Sequence, residues 1–140
     1  MKNSKIMRAI IALMLLVAIC IPVTAFAASP NYEFSFKFTN LANQTTESYQ
    51  KGDTEQNWYV SLYNNGTSTM SSTNILGLRM NRNGSYISDY HTFSNYVTSY
   101  QLPYNDDVTV SSTDWVYMGA KKDSTSTSTA ALVISGKFNP

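Results

Sequence analysis

A single histidine, His91, limits the acid–base chemistry open to this chain. A Ser-His-Asp relay would have to use it, yet no Gly-x-Ser-x-Gly turn presents a nucleophile anywhere in the sequence. Asp106 and Asp107 are adjacent, so on extended backbone they point to opposite sides and read as turn residues, not as a glycosidase pair. With Asn105 they offer oxygen atoms to calcium, but their spacing matches no defined calcium loop. These residues therefore imply no catalysis, no cofactor and no metal.

Exposed aromatics are the remaining chemical lead. Tyr59 and Tyr63 fall on the expected outer face of a strand whose Trp58 points inward, and Trp115 shares a face with Tyr117 on a later strand. Flat rings on an exposed sheet stack on sugar rings or pack against a partner protein. The competing reading is that tyrosine serves as a core residue in a chain short of Leu and Ile. These four aromatics are the candidate ligand-binding residues.

The N-terminus reads as an export signal. Lys2, Lys5 and Arg8 precede an apolar run from Ala9 to Ile21, Pro22 ends the helix, and Ala25 and Ala27 supply small side chains before a cut ahead of Ala28. A retained anchor is the alternative, because residues 9–28 are mostly apolar and about as long as a spanning helix. Processing into a lipoprotein at Cys20 is disfavoured by the bulky Ile19 before it. The expected organisation is a signal peptide over residues 1–27 and one secreted, extracellular domain over residues 28–140, with no membrane segment in the mature form.

Removing the leader takes away the only cysteine, and with it disulfides, thiolate metal sites and cysteine nucleophiles. It also removes three of the ten basic residues and none of the nine acidic ones, so the remainder is mildly acidic. Arg79/Arg82 and Lys121/Lys122 are its only close basic pairs, too few for a nucleic-acid surface.

Strand patterns fill the rest. Tyr32, Phe34, Phe36 and Phe38 alternate with Glu33, Ser35 and Lys37, the period of a half-buried strand. Residues 39–57 read as a long polar loop with a short edge strand near Tyr49. Trp58, Val60 and Leu62 form the inner side of a second main strand, and Leu76, Leu78 and Met80 that of a third. Asn83-Gly84 then supplies the positive backbone angles of a tight hairpin, with a partner strand expected over residues 85–91. Further strands are expected over 96–102, 108–111, 114–120 and 130–138. The segment 114–120 is apolar on both faces and reads as a covered central strand. Residues 123–129 offer nothing apolar to hold them to a core and are expected to be mobile. Seven or eight short strands without an amphipathic helix predict an all-β fold, a small antiparallel β-sandwich of Ig-like or jelly-roll-like type.

The motifs Tyr32-Glu33-Phe34-Ser35-Phe36, Trp58-Tyr59-Val60-Ser61-Leu62 and Ser135-Gly136-Lys137-Phe138 resemble those of small secreted β-rich proteins of Gram-positive bacteria. That group has no established activity, so the resemblance implies secretion and β structure and assigns no site residue. The sequence thus leads to a secreted, non-enzymatic binding protein. Its expected partner is cell-wall polysaccharide or a surface protein. The alternatives are a carbohydrate-binding module and a small bacteriocin-like or self-assembling protein.

Overall fold

The computed structural model describes residues 30–140, so the expected signal peptide and the cut between Ala27 and Ala28 lie outside the described residues. Within them the alternating pattern of aromatic and polar residues becomes β1 (Tyr32–Phe38), which buries Phe34, Phe36 and Phe38 and leaves Glu33, Ser35 and Lys37 in solvent. Two short strands interrupt the polar segment after it, β2 (Gln44–Thr45) and β3 (Tyr49–Gln50). Then come β4 (Asn57–Tyr63), β5 (Leu76–Arg82), β6 (Ser85–Tyr86) and β7 (His91–Phe93). The last three are β8 (Tyr100–Pro103), β9 (Trp115–Lys122) and β10 (Leu132–Asn139).

All pairings between strands are antiparallel. One sheet has the order β1-β10-β4-β8, and the other runs β2-β9-β5-β6, with β3 also on β9 and β7 also on β5. Both contribute inward side chains to a single hydrophobic cluster, from Phe36, Trp58, Val60 and Ile134 on one side to Leu76, Leu78, Met80 and Met118 on the other. Trp58 is 0% exposed. Burying each large side chain contributes about 1.5–3 kcal/mol, and this cluster takes the place of the disulfides the chain lacks. The all-β expectation holds, with ten strands among the described residues where seven or eight were expected, because several are only two residues long. No helix of the described residues is long and apolar enough to cross a membrane.

Four local expectations are corrected. The partner of β5 is not continuous over 85–91: Ser88 Oγ accepts the Met80 N–H at 2.9 Å, so a side chain replaces the ladder there and the strand resumes only at His91. Residues 96–99 lie outside β8, and 108–111 form no strand. β9 is central in its sheet but buries only Val116, Met118, Ala120 and Lys122, and its other side faces solvent.

The segment 123–129 is held by hydrogen bonds in place of apolar anchors. Lys122 Nζ donates to Ser128 O and Ala130 O, both at 2.7 Å. Asp123 N–H donates to Ile75 O and Ser128 N–H to Thr73 O, so the polar loop is stitched to the chain before β5.

Candidate functional site

The solvent side of the second sheet is built from three cross-strand pairs: Gly77 opposite Lys121, Arg79 opposite Gly119, and Asn81 opposite Tyr117. Their neighbours along β5 and β9 point into the core, so the pleat turns these six residues outward. The hairpin at Asn83 and Gly84, with φ of 52° and 82°, then sets Tyr86 opposite Asn81. On the other flank Thr45 of β2 pairs with Gly119. Strand register thus places Arg79, Asn81, Tyr86, Tyr117, Gly119, Lys121 and Thr45 on this face.

Two cations lie against aromatic rings here. The Arg79 guanidinium carbon is 3.2 Å from the Tyr86 ring centroid and 5.9 Å from that of Tyr90, and Lys121 Nζ is 4.9 Å from Tyr90. Each such contact contributes about 0.5–1 kcal/mol at an exposed site, enough to bias where the charge is held. Tyr90 reaches this position because residue 77 has no side chain: a Cβ there would stand 1.7 Å from the Tyr90 hydroxyl oxygen. The hydroxyl donates to Asp123 Oδ2 at 2.8 Å.

The electrostatics follow from that packing. Burial, then the bond to Asp123, raise the Tyr90 pKa well above the ordinary phenol value. Burial works against ionisation of Asp123, but the Thr125 hydroxyl and N–H, the Tyr90 hydroxyl and the Lys121 charge together hold its carboxyl below the usual value.

Between these side chains lies a depression of about 180 Å³. Gly119 keeps it open, since a Cβ there would approach Asn81 Nδ2 to 2.9 Å. Asn43 and Thr45 form one rim, Tyr86 and Tyr90 the other, and no carboxylate lines it. Trp115 stands two residues from Tyr117 on the same side of β9 and is 59% exposed, while Tyr86 is 54% exposed. The face offers flat rings at its edges and amide, hydroxyl and cationic groups between them, which suits reversible binding of a ring-bearing polar ligand.

The four aromatics singled out in the sequence therefore divide. Trp115 and Tyr117 belong to this face. Tyr59 and Tyr63 lie on the solvent side of the other sheet, where the Tyr59 hydroxyl donates to Glu55 and Tyr63 borders a shallow hollow with Glu33 and Ser135. The bond to Glu55, more than burial, raises the Tyr59 pKa. The two pairs cannot touch one ligand. Sequence reasoning did not reach Arg79, Tyr86, Tyr90, Gly119 or Lys121, though the Asn-Gly hairpin already implied the pairing of Asn81 with Tyr86.

His91 opens β7 opposite Leu78, with its ring centroid 6.4 Å from that of Trp58. Burial lowers its pKa, against the pull of Asp89, so the imidazole is neutral at pH 7. Asp106 and Asp107 are exposed in the turn after β8, closed by the Val108 N–H donating to Asn105 O. Among the described residues no three His, Cys, Asp or Glu side chains gather as a metal site. Comparison with protein-family models, curated proteins and solved structures finds no match to this chain.

Proposed function

We propose that this chain is a secreted, non-catalytic β-sandwich protein that binds carbohydrate at or outside the cell surface, through the solvent side of β5 and β9. The observation that carries the reading is the set of rings on that side: Tyr86 and Tyr117 lining a depression, with the exposed Trp115 two residues further along β9, on a sheet whose other side is committed to the core. Rings held by a rigid sheet lose little freedom on binding and give a sugar a flat apolar surface beside hydrogen-bonding groups. Residues 1–27 would direct export, and cell-wall polysaccharide is the partner the reading favours.

Strand order supports a jelly roll among the two sandwich types. With β2 and β3 taken as one interrupted strand, and β6 and β7 as another, eight strands remain. Their order is first-eighth-third-sixth in one sheet and second-seventh-fourth-fifth in the other, the interleaving that folding a long antiparallel ribbon into two sheets produces. Lectin domains share that architecture, an analogy that adds to the aromatic face and does not replace it.

The test is retention of purified protein, residues 28–140, on isolated wall polysaccharide. Trp115→Ala and Tyr86→Ala, both at exposed positions, should each weaken retention about tenfold, or 1.4 kcal/mol, while circular dichroism stays unchanged. Tyr63→Ala should leave it intact. Equal retention of all three variants would remove the reading.

One further observation favours a second reading, pairing through a strand edge. β1 is seven residues long and has only β10 beside it in its sheet, although the Gln44 side chain already donates to the Lys37 carbonyl at 2.7 Å. That reading requires a mass that rises with concentration and binding indifferent to glycans.

A further inference from the structure

We infer that the ligand of the β5–β9 face is an anionic polysaccharide, one carrying phosphate or carboxylate groups. The inference rests on the carbohydrate reading above and adds the charge of the sugar polymer.

Charge distribution is the first argument. The segment after the expected cut carries more acidic than basic residues, with all nine Asp and Glu inside it. Even so, the depression is lined by Arg79 and Lys121 and by no carboxylate. By contrast, the opposite side of the molecule mixes both signs, with Glu33 and Glu55 beside the tyrosines and Lys137 directly opposite Glu33, while Lys37 stands further along β1. An anion approaching the depression on the β5–β9 face meets cations with no carboxylate lining it, whereas beside the rings of the other face cations and carboxylates are interleaved.

The second argument is that both cations remain available. Among the described residues the ion pairs are Lys51 with Asp53 and Arg82 with Asp114, and neither Arg79 nor Lys121 belongs to one. Asp123 is the acidic group that Lys121 feels, but it is buried and already bonded to the Tyr90 hydroxyl, the Thr125 hydroxyl and the Thr125 N–H. The Arg79 guanidinium lies against the Tyr86 ring, with the Tyr90 ring further off. Arg79 lines the depression with no carboxylate competitor there, and its planar fork of N–H donors matches phosphate or carboxylate oxygens.

Spacing supplies the third. Lys121 lies two residues along β9 from Gly119, the partner of Arg79, which makes the two cations diagonal neighbours roughly 7–8 Å apart at the backbone. Their flexible stems can meet at one anionic group or engage two along a polymer. Meanwhile Tyr117 and Trp115 continue the same strand, so a chain held at its charge could lay its next sugar rings on them.

The experiment uses wall polysaccharide in three forms: intact, stripped of phosphodiesters by cold hydrofluoric acid, and with its carboxyls reduced after carbodiimide activation. Retention should fall at least tenfold for one of the treated forms, which identifies the anion, and should weaken several-fold as salt rises from about 50 to 300 mM because charges are screened. Arg79→Gln and Lys121→Gln should each cost roughly tenfold, the size expected of a charge-assisted hydrogen bond. Arg79→Lys should recover only part of the loss, and Lys37→Gln, a charge removed from the far sheet, should retain the polymer as wild type does. Equal, salt-insensitive retention of all three polymers would overturn the anionic inference and leave the carbohydrate reading standing. Failure to retain the intact polymer would overturn both.

Discussion

Gly77 shows how one absent side chain shapes the proposed site. Alanine there would drive a methyl into the Tyr90 ring, so Tyr90 must leave and the Arg79 and Lys121 contacts change with it. We expect Gly77→Ala to destabilise the protein by about 1–3 kcal/mol in urea unfolding. In a Tyr90→Ala background the same change should cost little, because the clash is gone; additive costs in that double-mutant cycle would contradict the geometry. Tyr90 and Asp123 also set the pH response. Asp123 has a lowered pKa when folded, so its contribution is present above about pH 4 and is lost as pH falls through the folded value. Tyr90 has a raised one, so its contribution is full below about pH 10 and is lost as pH rises further. Asp123→Asn should flatten the acid limb measured by urea midpoint against pH, and an unchanged limb would show that other carboxylates carry it. At this scale the sequence showed Tyr117 and Trp115 as chemical leads. It did not show Tyr90 as one, because nothing local says that a tyrosine thirteen residues away will cover Gly77.

Among the elements, the hairpin joining β5 to β6 was the most legible. Asn83 and Gly84 take the left-handed angles that their dipeptide favours, and a side chain at 84 would be strained whatever space surrounds it. Gly84→Ala should therefore cost about 1 kcal/mol, read by thermal or denaturant unfolding. β1, β4 and β10 were equally readable, because strict alternation reports which face is buried. The interruption between β6 and β7 was not, since it depends on Ser88 supplying a hydroxyl where the ladder would use a carbonyl. The 123–129 loop misled for a related reason. Composition counts apolar anchors, whereas this loop is held by Lys122, whose ammonium is buried between the Ser128 and Ala130 carbonyls. Lys122→Met should keep the stem and remove both bonds. Limited proteolysis should then cut within 123–129 while the wild-type loop resists, and equal resistance would show that the other hydrogen bonds suffice.

For the molecule as a whole, two sheets share one core and leave two solvent faces of different character. One bears Tyr59 and Tyr63 among interleaved carboxylates and lysines, and the other bears Tyr117 and Tyr86 around two cations that belong to no ion pair among the described residues, with Trp115 further along β9. The sequence foretold two sets of exposed aromatics but not that they stand on opposite sides, because sheet order is a long-range property that local alternation does not encode. The central claim is that the β5–β9 face meets the ligand. Its most direct measurement is an amide chemical-shift map of the ¹⁵N-labelled protein, residues 28–140, during titration with solubilised wall polysaccharide. The account predicts shifts concentrated at Arg79, Asn81, Tyr86, Tyr117, Gly119 and Lys121. Shifts centred on Tyr59 and Tyr63, or along the edge of β1, would contradict it.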